Sequence, residues 1–117
     1  MRKLATFVAG VILFGGAWAS VARGEDGKAL YTKSCVSCHG ATGKGDGPAS
    51  APLNPKPRDL TDKKWQASVD DAHIETVILK GGAAVKLSPM MAANPDLESK
   101  PDVIRALRAK VRSLGGK

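Results

Sequence analysis

The sequence has few aromatic residues, and most of them lie near its beginning. It contains two phenylalanines, two tryptophans and one tyrosine among 117 residues, and beyond residue 24 only Tyr31 and Trp65 remain. A domain of this length with so few large side chains can build only a thin hydrophobic core of its own. We therefore expect a bound, flat, apolar group to supply the missing core volume.

Cysteine and histidine are also scarce, which restricts the kinds of site that the chain can form. The two cysteines, Cys35 and Cys38, are three positions apart. A disulfide between them would close only a tiny loop and would stabilise the fold little, so another role for the pair is expected. A structural zinc site needs four ligands, usually from two pairs. No second cysteine pair exists, and the only histidines are His39 and His73.

The positive charge of the chain is concentrated at its beginning. The formal net charge is +7, from 18 basic and 11 acidic residues. Three of the basic residues and none of the acidic ones precede residue 25, which leaves +4 for the remainder. This balance does not indicate nucleic-acid binding.

The first segment has the pattern of an export signal. Basic residues 2–3 precede an uncharged apolar run over 4–18, which ends in the small-residue motif Ala17-Trp18-Ala19. This pattern predicts a secretory signal peptide at 1–24, with cleavage after residue 19, 22 or 24. Residues 25–117 would then form a single domain in the periplasm or another extracytoplasmic space.

An uncleaved membrane anchor is the alternative for the same segment. Residues 4–22 carry no charge, and the run is long enough to be a transmembrane candidate. The small residues at its end favour removal. We expect the domain to be attached to a membrane only if the segment is retained.

Three segments of the remaining chain have helical periodicity, and none has the alternation of a strand. The predicted helices cover residues 27–35, 69–79 and 101–113. The predicted N-terminal caps are Asp26 for the first helix, Ser68 with Asp71 for the second, and Ser99 with Asp102 for the third. Gly81-Gly82 and Gly115-Gly116 are predicted to end the second and third helices. The stretches 40–60 and 82–96 are rich in glycine or proline and are predicted loops, so the fold class is all-α.

The motif Cys35-Val36-Ser37-Cys38-His39 is typical of covalent attachment of c-type haem. Two intervening residues let one helical turn present both thiols to the two vinyl groups of a porphyrin, and the adjacent imidazole can then ligate the iron. A thioredoxin-like dithiol would instead follow a strand and begin a helix, whereas here a predicted helix precedes the motif. A zinc site is the third, weaker interpretation.

Iron held by one histidine has a sixth position to fill. The candidates are Met90, Met91 and His73. Methionine ligation favours electron transfer at raised potential, whereas an open position permits ligand binding or catalysis. Pro89 precedes the two methionines in a predicted loop, from which a thioether could reach the iron.

The chain beyond the signal segment resembles a class I c-type cytochrome of the bacterial monohaem kind over nearly its full length. The resemblance is carried by the haem motif, by Tyr31 four residues before it, by Gly43-Lys44-Gly45-Asp46-Gly47-Pro48 after it, and by Gly81-Gly82 and Ser88-Pro89-Met90-Met91. It implies a small fold of three main helices and long loops around one covalent haem c. It also implies that Met91 ligates the iron, with Met90 as the alternative. In two positions the chain departs from the family: Lys110 replaces an aromatic residue of the last helix, and Ala92 replaces a proline.

The resemblance further implies a single-electron carrier, without enzymatic activity, that serves transient redox protein partners. The alternatives are a haem subunit of an oxidoreductase and a small peroxidase or gas-binding haem protein. A carbonyl of Pro48 or Pro52 is expected to hold the second ring nitrogen of His39. Trp65 or Arg58 could contact a haem propionate, although core packing is the simpler role for Trp65.

Overall fold

The computed structural model describes Gly10 and residues 17–116, with the backbone alone for residues 17–25. It contains five α-helices and two short 3-10 turns: α1 (Ala17–Ser34), α2 (Val36–His39), α3 (Lys63–Ser68), α4 (Asp71–Lys80), the turns Gly82–Val85 and Pro95–Leu97, and α5 (Pro101–Leu114). No strand occurs in this part of the chain. The predicted all-α class is confirmed.

The crossing of α1 and α5 forms the centre of the fold. α5 buries Ile104, Leu107 and Val111 on one face, and each such side chain contributes about 1.5–3 kcal/mol when it is fully buried. The two backbones approach closely where Gly27 of α1 meets Ala106. A Cβ atom at Gly27 would lie 2.7 Å from the Cβ of Ala106, so glycine permits this close crossing.

The helix α4 packs beside α5 through apolar side chains and a row of ion pairs. Ile74 and Ile78 lie in the core, at 4% and 8% exposure. At the helix surface, Arg108 Nη1 of α5 lies 2.6 Å from Glu75 Oε1, and Arg112 Nε lies 2.9 Å from Asp71 Oδ1. These pairs are partly solvated and contribute little, so apolar burial holds α4 in place.

The predicted helix caps need correction. Asp70, not Ser68, caps α4, because its carboxylate accepts a hydrogen bond from the backbone N–H of His73 at 2.7 Å. Ser68 lies at the end of the preceding helix, where its hydroxyl donates to the carbonyl of Trp65. Lys100, not Ser99, is the N-cap residue of α5 and makes no capping side-chain bond, and Pro101 begins that helix with its preset φ.

The first helix begins earlier than predicted. α1 starts at Ala17, so Asp26 lies inside the helix and does not cap it. No proline interrupts the chain between these residues, so the helical conformation extends from Asp26 back to Ala17. The predicted signal peptide falls largely on residues 1–9 and 11–16, which lie outside the described residues. Among the described helices, none is both long and apolar enough to cross a membrane.

One helix was not predicted. α3 occupies Lys63–Ser68, and the carboxylate of Asp62 caps it by accepting hydrogen bonds from the backbone N–H groups of Lys64 and Trp65. An aspartate followed directly by an uninterrupted helix-forming run was the available signal. The short length of the helix gave no apolar periodicity to detect.

The close helix crossing generates a stability prediction. Gly27→Val should destabilise the protein by about 1–3 kcal/mol, because the added side chain must force α1 and α5 apart. The matched control is Ala29→Val, an exposed position on the same helix, which should cost less than about 1 kcal/mol. Guanidinium unfolding of both variants measures the difference. Equal losses would show that the crossing is not tightly packed.

Candidate functional site

The two cysteines and the histidine lie on one short helical turn that continues from α1. Cys35 is the N-cap residue of α2, and its N–H donates to the carbonyl of Tyr31 at 2.9 Å. The N–H of His39 donates back to the carbonyl of Cys35 at 2.9 Å. Cys35, Cys38 and His39 are all partly buried, and both thiols are free. The structure therefore brings these three predicted site residues together.

The glycine-rich loop after α2 binds the carbonyl groups at the end of this turn. Four alternate loop residues donate N–H groups to four successive carbonyls: Gly43 to Gly40 at 3.2 Å, Gly45 to His39 at 2.8 Å, Gly47 to Cys38 at 3.1 Å, and Ala49 to Ser37 at 2.8 Å. These four hydrogen bonds are called the carbonyl ladder below. The last carbonyls of a helix have no partner within the helix, and the ladder supplies their donors. The motif is thus held from its backbone side.

Close approach explains why glycine occupies the ladder. A Cβ atom at Gly47 would lie 2.3 Å from the carbonyl oxygen of Ser37, a contact that backbone atoms cannot relieve without moving. Gly45 has φ +78 and would place a Cβ atom 2.4 Å from the carbonyl oxygen of Pro57. Both sterics and backbone conformation therefore require glycine in this loop.

The ring of His39 is held by one backbone carbonyl. Its Nδ1 lies 3.0 Å from the carbonyl oxygen of Arg58. Because a carbonyl only accepts, Nδ1 carries the proton, which leaves the lone pair of Nε2 free to bind a metal. Burial lowers the pKa of His39, and the hydrogen bond to Arg58 opposes this shift only in part, so the imidazole is kept neutral.

The expected acceptors for His39 were wrong. Neither Pro48 nor Pro52 accepts from its ring; Arg58 does. The loop first passes beside α2 through the carbonyl ladder and returns later, where the N–H of Leu60 donates to the carbonyl of Gly43 at 2.6 Å. The acceptor therefore belongs to the part of the loop that returns toward α2. A backbone carbonyl has no side-chain signature, so the sequence contains no signal for it.

The thiol environment does not suit a redox dithiol. Burial raises the pKa of the Cys35 thiol, and the neighbouring Cys38 raises it further. Reactive dithiols need a lowered pKa and a stabilised thiolate. A zinc site is not supported either, since no group of three or more His, Cys, Asp or Glu side chains suitable for a metal occurs among the described residues.

Tyr31 supports the same turn from the core. It is 3% exposed, and its hydroxyl donates to the carbonyl of Gly40 at 2.9 Å, directly after His39. Burial raises the pKa of Tyr31 to about 12, so the hydroxyl remains a donor. Lys110 extends over this ring with Nζ 5.4 Å from the ring centroid. Lys110 and Tyr31 thus form a cation–π contact at the place where the family that the chain resembles commonly has an aromatic pair.

The candidate sixth ligands lie on other elements. Met91 is partly buried and anchored by its backbone, since its carbonyl accepts from the N–H of Gly82 at 2.9 Å and its own N–H donates to the carbonyl of Ser88 at 3.2 Å. Met90 is 65% exposed. His73 lies in the first turn of α4 and is partly buried. The N–H of Met90 also donates to the hydroxyl of Ser88 at 3.2 Å, so the difference that favours Met91 is its burial.

The two suggested propionate contacts have different surroundings. Trp65 is partly buried and packs against the hydrophobic core, which agrees with a packing role. Arg58 is exposed, and it is its backbone that contacts His39. Contact of either side chain with a propionate remains a prediction.

Comparison with known proteins identifies the family. The family model for cytochrome c matches residues 24–114. The chain therefore belongs to the cytochrome c family. A solved c-type cytochrome, KustC0563, is similar over 76% of this chain and 96% of its own length, with a TM-score of 0.59 and 28% sequence identity.

Curated relatives are larger proteins. The cbb3-type cytochrome c oxidase subunit FixP of Bradyrhizobium diazoefficiens is 37% identical over 90 residues, which are 77% of this chain and 27% of the relative. The same subunit of Azorhizobium caulinodans is 32% identical over 104 residues, covering 89% of this chain and 31% of the relative. The chain thus spans less than a third of the length of these relatives.

The residues present fit the cofactor of the family, which is covalently bound haem c. Two free thiols and a neutral imidazole share one turn, and the imidazole nitrogen that remains free is the one that ligates. One haem c is therefore the cofactor of this chain.

The ladder generates a prediction about cofactor loading. Gly47→Ala should strongly lower the yield of haem-bearing protein, because its Cβ cannot coexist with the present position of Ser37. Thr42→Ala, an exposed change in the same loop, is the control and should leave the yield unchanged. Exported protein is measured by pyridine–haem absorbance per polypeptide. Normal loading of the Gly47 variant would contradict the proposed rigidity of the ladder.

Proposed function

We propose that the chain is a single-electron carrier outside the cytoplasm, with no enzymatic activity of its own. Cys35 and Cys38 would form the two thioether bonds, and His39 and Met91 would ligate the iron, with Met90 as the alternative. The observation that carries this proposal is the fixed tautomer of His39, held by Arg58 with Nε2 free. Bound haem supplies an iron that alternates between ferrous and ferric states.

The protein's own groups would keep the coordination unchanged during transfer. The carbonyl of Arg58 fixes the His39 ring, and the carbonyl ladder fixes the turn that bears it. The backbone of Met91 is hydrogen-bonded to Gly82, the first residue of the 3-10 turn after α4. Because these anchors would hold both ligands in either redox state, little rearrangement would accompany electron transfer. The buried surroundings would disfavour the extra positive charge of the oxidised site and so raise the potential.

Redox partners are proposed to dock transiently. Seven of the exposed lysines carry charge that could steer an acidic partner: Lys28, Lys33, Lys44, Lys63, Lys64, Lys80 and Lys86. An interface for rapid exchange would be small, below about 1,200 Å². The signal peptide proposed at 1–24 would deliver the domain to the periplasm, where haem attachment takes place.

A haem subunit of an oxidase is the second candidate. Its support is the 37% identity to a cbb3-type oxidase subunit, which holds over only 27% of that relative. Co-purification from membranes in mild detergent distinguishes the two functions. Recovery of the chain as a stoichiometric part of an oxidase complex would favour the subunit, and recovery from the periplasmic fraction alone would favour the carrier.

Covalent attachment generates a mass prediction. Mature exported protein should have the mass of its polypeptide plus one haem, and the reduced pyridine–haem spectrum should be that of two thioether bonds. Cys35→Ala should shift that spectrum to the one-thioether form, because one vinyl group stays unsaturated. The intact mass also locates the mature N-terminus. A colourless wild-type protein without added mass would refute the proposal.

The sixth ligand generates a spectroscopic prediction. Met91→Ala should abolish the weak near-infrared band that methionine ligation gives ferric haem, and the reduced protein should then bind carbon monoxide. Met90→Ala is the matched control and should retain the band, since Met90 is exposed. Loss of the band in Met90→Ala and its retention in Met91→Ala would identify Met90 as the iron ligand. If wild-type protein bound carbon monoxide readily, the carrier proposal would give way to a gas-binding or peroxidase function.

A further inference from the structure

Gln66 is the most buried polar residue of the described chain and has a complete set of hydrogen bonds. Only 2% of its surface is exposed to solvent. Nε2 donates to the carbonyls of Leu60 at 2.8 Å and Val111 at 2.9 Å, and Oε1 accepts from Arg112 Nη1 at 3.0 Å. A buried amide with three partners is held in one orientation, and losing it leaves buried carbonyls without donors.

One of these bonds reaches the segment that holds His39. Leu60 is two residues after Arg58 and is bound on both sides: its carbonyl accepts from Gln66, and its N–H donates to the carbonyl of Gly43. Its side chain is 5% exposed and lies in the core. The position of the Arg58 carbonyl therefore depends on how Leu60 is anchored, and Gln66 supplies one of the two polar anchors.

The other bonds connect Gln66 to the end of α5. Arg112 also donates to the carbonyls of Gln66 and Val69, which orients the guanidinium around this residue. Gly115 follows the helix and packs directly on the amide. A Cβ atom there would lie 2.6 Å from Cγ and 2.8 Å from Nε2 of Gln66. Glycine at this cap is required by the Gln66 side chain and not by its own φ of −83.

We propose that Gln66 is a positioning residue that couples the C-terminal end of α5 to the His39–Arg58 hydrogen bond and thereby tunes the reduction potential of the haem. The inference rests on the proposed role of His39 as the axial ligand. A firm carbonyl acceptor at Nδ1 makes the imidazole more electron-donating and stabilises ferric iron. Loosening Leu60 weakens that acceptor, so the potential shifts to more positive values.

Two substitutions perturb this link in different ways. Gln66→Met keeps the volume but removes both donors from Leu60 and Val111. Gly115→Ala keeps the amide but pushes against it from outside the site. Arg108→Gln is the matched control, because it removes the ion pairs with Glu75 and Asp71 in the same contact between α4 and α5 and leaves the hydrogen bonds of Gln66 and Leu60 in place.

The experiment uses the haem-bearing protein and three measurements: the midpoint potential, the exchange rate of the His39 Nδ1 proton by NMR, and guanidinium unfolding. Gln66→Met and Gly115→Ala should both shift the potential to more positive values. Both should also accelerate exchange about tenfold, the factor expected when one hydrogen bond is weakened. Arg108→Gln should change stability without changing either the potential or the exchange rate.

The outcomes separate this inference from the function on which it rests. If the His39 ring protons of the oxidised, ferric wild-type protein show no paramagnetic shift, His39 is not a ligand and the proposed function fails. If they are shifted but both test variants keep the wild-type potential and exchange rate, Gln66 has no positioning role. A potential shift of equal size in Arg108→Gln would assign the effect to general destabilisation and would also overturn the inference.

Discussion

The backbone bonding between the haem-binding turn and the loop after it is the constraint on which the rest of the structure depends. A one-turn helix cannot satisfy its own terminal carbonyls, so another segment must do so. Here alternate residues of a glycine-rich loop supply the donors. The same loop then returns beside itself and presents the carbonyl of Arg58 to the ring of His39. Attachment residues, loop and ligand orientation are therefore parts of one hydrogen-bonded unit.

The core around this unit is small, which explains the importance of polar anchors in it. Eight hydrophobic side chains are buried in the described chain, and five of them belong to α4 and α5. Such a core leaves little surplus stability. In the part of the chain that the structure describes, every buried side-chain nitrogen and oxygen atom accordingly has a hydrogen-bond partner. Tyr31 and Gln66 are examples. Each is nearly inaccessible to solvent, and each donates a hydrogen bond to a backbone carbonyl near the site.

Local patterns predicted the helices better than their ends. The apolar faces of α4 and α5 were visible because side chains that meet the core recur at helical spacing. The caps were wrong where two capping residues compete within a short distance, as Ser68 and Asp70 do. The start of α1 was misplaced because nothing in the chain between residue 17 and Asp26 forbids a helix. Hydrogen-bond geometry, which propensity does not encode, decides such boundaries.

By itself the sequence determined the chemistry of the site: two thiols and an imidazole at a spacing that one helical turn presents together, in a family that binds haem covalently. Only the tertiary structure decided which groups hold that chemistry in place. The acceptor for His39 is the carbonyl of Arg58, and the anchor beside it is Gln66. Backbone carbonyls are the same at every residue, so the path of the folded chain alone selects the one that reaches the ring.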